Sequence, residues 1–231
     1  PILWPTVAGV VILYAVIYVG ELVPVELPQT FYGLAQGPQW ILILFAYATI
    51  ASLLPVWLLL QPRDHINGVQ LFIGLGLLFG AVFLANPTIV APALNSNVPD
   101  GTPPLVPLLF VTIACGAISG FHGLVASGTT SKQLDKDTDA RFVGYLGSTG
   151  EGMLALVAII AVTAGFASTA EWEAMYSTFG DAGIQTFVAG GSVVIAEGTG
   201  LSREFAATLL AVMAVLFAGT TMDTGVRLQR F

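Results

Sequence analysis

Charge is what this sequence has least of. Lys, Arg, Asp and Glu make up 9% of its 231 residues, with 7 basic side chains against 14 acidic ones. Soluble domains carry roughly a quarter charged residues, so lipid rather than water must be the solvent for most of this surface. Cysteine is almost missing too, and the lone Cys115 excludes an intrachain disulfide framework. The few Lys and Arg form no basic patch, which leaves nucleic acid without an electrostatic footprint. There is no GxxxxGK[ST] phosphate loop, no HExxH, no paired-Cys motif and no GxSxG elbow. No cofactor and no metal is therefore expected. Ser119 and His122 place a hydroxyl and an imidazole on neighbouring turns, but no acid is identifiable to orient the ring, so an enzyme is not expected either. A cleavable signal peptide is also lacking, because the first apolar run has no basic start and is too long. Opening at Pro1 without Met and stopping at Phe231 just after an apolar run, the sequence reads as an internal piece of a longer protein.

What the sequence does have is apolar length. Apolar residues fill 55% of positions, and the mean hydropathy is +0.85. About 20 such residues cross a hydrocarbon layer some 30 Å thick. Five uncharged runs approach or exceed that length, at residues 2–20, 38–60, 69–86, 105–126 and 205–222, and a sixth, 142–166, contains one charge, Glu151. The expected fold is all-α: a polytopic transmembrane bundle of about six helices, forming one domain over residues 1–231. Pro55, inside the second run, must kink it or leave a carbonyl unpaired. The stretch 182–196 is too short to cross and is interrupted by Gly190-Gly191, which predicts a re-entrant or surface-lying segment. Residues 131–140 read as a short helix with Thr130 and Gln133 spaced as a capping box.

The basic residues orient these runs. Arg63 follows the second, Lys132, Lys136 and Arg141 follow the fourth, and Arg227 and Arg230 follow the sixth. The intervening connections hold Arg203 as their one basic residue, and most of the acidic ones, including Glu21, Glu26, Asp100, Glu171 and Glu197. Basic loops are retained on the cytoplasmic side. Both ends of the chain are thus expected in the cytoplasm, in a multi-pass protein of the cytoplasmic (inner) membrane.

Four places could carry chemistry. Gly116 and Gly120 form a small-xxx-small pair that lets helices approach closely. With Ser119 they equally suit a discontinuous helix whose freed amides and carbonyls bind a solute or ion near mid-membrane. His122 is either a hydrogen-bonded packing residue or a proton-transfer group, since imidazole titrates near neutral pH. Glu151 lies ten residues into its run, roughly 14 Å deep. A charge there costs at least about 3 kcal/mol, so it must be protonated, paired or facing a watered cavity. Asp223 and Arg227 are four apart and can pair on one helix face, as an interfacial structural pair or as a cytoplasmic gate. Arg63-Asp64, after Pro62, has the same two readings, a loop anchor first and a gate as the alternative.

Four blocks resemble the carbon starvation protein family (CstA): Leu54–Asp64, Thr112–His122, Ser127–Leu134 and Asp223–Phe231. The resemblance implies a polytopic inner-membrane permease linked to uptake of peptides or pyruvate when carbon is scarce. Some members are similar to proton symporters, and the family is grouped with transporters built on inverted five-helix repeats. Members are longer, and they carry an upstream Gly-rich helix with a His-His start that this sequence lacks. The expected secondary transporter would hold solute at Gly116, Ser119 and Gly120. His122 and Glu151 would serve a coupling proton or sodium ion, with Asp223 and Arg227 at a gate. Its expected partners are the peptide or pyruvate, the bilayer and the remaining helices of the full-length protein. A channel or membrane-embedded sensor of similar topology is the alternative.

Overall fold

The structure, a computed structural model, describes residues 3–95, 97–118, 120–178 and 183–229, with backbone alone at 115–118. In chain order the helices are α1 (Leu3–Leu22), α2 (Gln36–Leu53), α3 (Leu60–Ala85), α4 (Leu105–Ile118) and α5 (Gly120–Gly128). A single 3-10 turn, Thr130–Gln133, leads to α6 (Asp139–Ala164), α7 (Thr169–Met175), α8 (Ile184–Thr199) and α9 (Arg203–Gln229). Among the described residues the only sheet is a hairpin pairing Thr30 with Ala35 and Phe31 with Leu34. Its turn residues Tyr32 and Gly33 both have positive φ, at 49° and 78°, as a primed two-residue turn requires. The all-α membrane bundle expected from hydropathy is therefore present. Among the described residues four helices, α1, α3, α6 and α9, are long and apolar enough to cross a membrane.

Of the other two expected spans, the second is shaped by a break. Helix α2 stops at Leu53 instead of continuing to residue 60, because the residue before a proline is pushed out of helical geometry. Pro55 also has no N–H to give the carbonyl four residues back. That carbonyl belongs to Ala51, and it accepts instead from the Leu54 amide at 3.3 Å and from Arg227 Nη2 at 3.1 Å. The next helix then starts at Leu60, nine residues before the expected position, since proline is tolerated in a first helical turn. Arg63 and Asp64 are accordingly not a loop anchor but part of that turn. In the fourth run Leu105–Ile118 and Gly120–Gly128 are both helical, and Ser119 between them lies outside the described residues.

Helix α8 favours the first of the two readings of the stretch up to residue 196, re-entrant over surface-lying. It runs unbroken through Gly190-Gly191 and is enclosed by α3, α6 and α9, so it does not lie on a surface. Its small residues allow the approach: a methyl group at position 190 would meet the Ala161 carbonyl oxygen, and one at 198 the Ala81 carbonyl oxygen. Around it Leu78, Ala81, Val157, Val194, Ile195, Ala206 and Leu210 form the dry core. Outward-facing Phe72, Phe83, Phe142, Leu156 and Ile159 are exposed, as lipid-facing positions would be.

The capping box falls elsewhere than expected. Thr130 begins the 3-10 turn, and no helix covers 134–138. Ser168 and Glu171 make the reciprocal pair instead: the Ser168 hydroxyl accepts from the Glu171 amide at 3.2 Å, and the Glu171 carboxylate accepts from the Ala167 amide at 2.9 Å.

The two ends of the bundle differ in charge. The end of α2, the start of α3, the end of α5 and the end of α9 gather at one end and bring Arg63, Lys132 and Arg227 together there. The ends of α3, α6 and α8 and the start of α9 gather at the other, with Glu171, Glu197 and Arg203. Loops far apart in sequence but alike in charge are thus neighbours.

Candidate functional site

Helical periodicity builds the site at the basic end. On α3, Gln61, Asp64 and Gly68 are spaced by three and four residues and share one face. Phe121, Val125 and Gly128 do the same on α5, as do Phe217, Thr220, Thr221 and Thr224 on α9. These faces meet across a groove with two cavities. One, of about 310 Å³, is lined by Asp64, Asn67, His122, Thr220 and Thr221. The other, of about 720 Å³, is lined by Trp57, Gln61, Thr129, Lys132 and Arg227. Thr224 borders both.

Behind the groove stands a buried polar cluster. Arg63 forms an ion pair with Asp223, whose side chain is 2% exposed, and donates from Nη1 to the Tyr47 hydroxyl at 2.7 Å. Asp223 therefore pairs across helices with Arg63, and Arg227, the partner expected four residues on, bonds the Ala51 carbonyl instead. Some polar atoms here have no protein partner: Asn67 Nδ2, Gln70 Nε2, Asp223 Oδ1 and Arg227 Nε are all buried. Leaving such a group unpaired costs roughly 1–3 kcal/mol. A bundle that keeps several at one place keeps polar chemistry there.

The remaining expected residues divide. His122 is exposed into the smaller cavity, with the Phe121 ring edge-on at 5.9 Å. Gly116 lies within α4 and Gly120 opens α5, while Ser119 lies outside the described residues. Glu151 is on an exposed face of α6 and lines neither cavity, so the structure does not bring it to His122.

The sequence model of the family described as carbon starvation protein CstA matches residues 1–180. The chain belongs to this family. The matched segment carries α1 to α7, and the Asp223–Phe231 block that also resembles the family lies beyond it. Among curated relatives, the pyruvate/proton symporter BtsT of Escherichia coli (strain K12) is 42% identical over 167 residues, covering 68% of this chain and 23% of that protein. The peptide transporter CstA of Helicobacter pylori (strain ATCC 700392 / 26695) is 39% identical over 166 residues, covering 69% and 24%. The peptide transporter CstA of Mycobacterium tuberculosis (strain ATCC 25618 / H37Rv) is 44% identical over 126 residues, covering 52% and 16%. The chain thus spans about a quarter or less of the length of these CstA-family relatives. No solved structure matches it. Family membership and the four apolar spanning helices together make it a multi-pass membrane protein.

Asp64, Asn67, Tyr47 and Lys132 were not singled out as site residues from sequence. For the first two a signal was present. Gln61, Asp64 and Gly68 repeat at three and four, with Asn67 beside Gly68, directly before an apolar run. That is the pattern of a helix with a polar stripe at one end.

Proposed function

We propose that this chain is the central part of the membrane-embedded helix bundle of an ion-coupled secondary transporter that takes up peptides or pyruvate across the cytoplasmic membrane during carbon starvation. The observation that carries the proposal is the groove between α3, α5 and α9. Polar side chains from three helices converge there, inside a bundle whose outer faces are apolar. Relatives named as a pyruvate/proton symporter and as peptide transporters supply the two solute classes. In the proposed topology six crossings alternate, and the basic end faces the cytoplasm, as retention of Lys and Arg on that side favours. The chain ends lie on that side too. Gly116, Ser119 and Gly120 form the discontinuous-helix part of the path. His122 is the first choice for a proton group because it borders the groove, and Glu151 is the second. Asp223 and Arg227 belong to a cytoplasmic gate, held through Arg63 and Ala51. With no nucleotide-binding loop in this chain, an ion gradient supplies the driving force, and the protein carries no catalytic step.

The test is uptake of labelled pyruvate and of a labelled dipeptide by the intact protein in proteoliposomes, under imposed proton or sodium gradients. Accumulation that collapses when the gradient is dissipated supports coupled transport. Equilibration without accumulation would assign a channel.

A further inference from the structure

The larger cavity at the basic end has an unbalanced lining. Arg227 and Lys132 both face it, and no carboxylate does among the described residues. The nearest buried acid, Asp223, is already paired with Arg63, the only ion pair among the described residues. Arg227 spends Nη2 on the Ala51 carbonyl, while its Nε is buried without a partner. The rest of the lining is largely apolar and aromatic, with Leu54, Pro55, Val56 and Trp57. A volume of about 720 Å³ falls within the range of small-molecule sites, about 300–1,000 Å³. Two cations without a counter-ion, beside apolar side chains, are complementary to one chemical group: a carboxylate at the end of a small solute.

We infer that this cavity is a carboxylate site in which Arg227 and Lys132 hold the anionic end of the solute and the Leu54–Trp57 wall holds its body. The inference rests on the transport reading above and deepens it, because pyruvate and the C-terminus of a peptide share this one group. A guanidinium offers a carboxylate parallel N–H donors, whereas an ammonium acts as a point charge. Arg227 is therefore the orienting cation and Lys132 the auxiliary one. Trp57 stands in the wall as a built-in reporter.

The experiment is a fluorescence titration of the intact protein in phosphatidylcholine nanodiscs, with sodium pyruvate, dialanine and neutral acetamide as probes. A Trp57→Phe variant assigns the signal. Saturable binding of pyruvate or dialanine, but not acetamide, is expected. Arg227→Gln keeps a donor for Ala51 and should raise Kd by about tenfold or more, and Lys132→Gln by a few-fold. Lys136→Gln, outside the cavity, should leave Kd unchanged. If Arg227→Gln fails to fold, Lys132→Gln still decides. Three outcomes would overturn the site: no saturable carboxylate binding, equal affinity in both cavity variants, or loss of binding when phosphatidylglycerol replaces phosphatidylcholine. The last would assign the cations to lipid headgroups. Binding that persists in a protein showing no uptake would defeat the transport reading and leave the site standing.

Discussion

Arg63, in the first turn of α3, and Asp223, near the end of α9, form a buried ion pair, with side chains 16% and 2% exposed. Two helices far apart in sequence are pinned at the wall of the groove by one charge pair. Removing a single partner leaves the other charge buried and unpaired, a change that costs about 3–5 kcal/mol. Arg63→Met and Asp223→Leu should each lower the unfolding temperature in detergent substantially. The double variant should recover most of that loss. Additive losses would show that the pair carries no coupling.

A second long-range bond depends on a proline. Because Pro55 cannot pair with the Ala51 carbonyl, that oxygen accepts from the Leu54 amide at 3.3 Å and from Arg227 at 3.1 Å. In a Pro55→Ala background the new N–H can take that carbonyl, and Arg227 becomes partly redundant for stability. A double-mutant cycle of Pro55→Ala with Arg227→Met should show a coupling energy of about 1 kcal/mol, measured by chemical unfolding. A coupling near zero would mean that the two residues act independently.

Gly190 marks the tightest helix crossing. A Cβ there would run into the backbone oxygen of Ala161, whereas one at Gly76 would meet nothing. Gly190→Ala should destabilise by about 1–3 kcal/mol despite the better helix propensity. Gly76→Ala should be neutral or stabilising by up to about 1 kcal/mol. Thermal unfolding of both variants checks the contrast, and equal effects would refute this packing of α8.

His122 and Glu151 are separated by the structure, so their variants should behave differently. His122→Gln should flatten the pH dependence of uptake, because it removes an imidazole that borders the groove. Glu151→Gln should change it less. Initial uptake rates across external pH settle the order, and the reverse result would move the proton group to α6.

Much of this fold was legible, for a physical reason. Lipid demands long apolar runs, and α1 and α6 follow theirs within a few residues, while α9 continues past the end of its run to Gln229. Hydropathy failed where a charge could be paired. It stopped the third span at residue 69, whereas α3 begins at Leu60, because the Arg63 charge that interrupts the run is neutralised by Asp223. No local pattern announces a partner on a helix that distant. The Gly190-Gly191 pair misled in another way. Glycine weakens a helix in water, but between packed membrane helices it gives access to the neighbouring backbone. In the site, His122 and Arg227 could be picked out because charge-bearing residues are scarce. Asn67 and Gln70 were missed because uncharged polar residues interrupt hydropathy so little, yet both are buried with unpaired amide nitrogens.

Access to the groove between α3, α5 and α9 is the point on which the rest turns. Thr221 lines its smaller cavity and is exposed. The most direct measurement places a cysteine there, in intact protein stripped of other thiols including Cys115, and follows labelling by a membrane-impermeant maleimide. Labelling that slows when pyruvate or a dipeptide is added is expected. A thiol that stays inaccessible, or one labelled at the same rate with and without solute while uptake continues, would contradict a solute path through this groove.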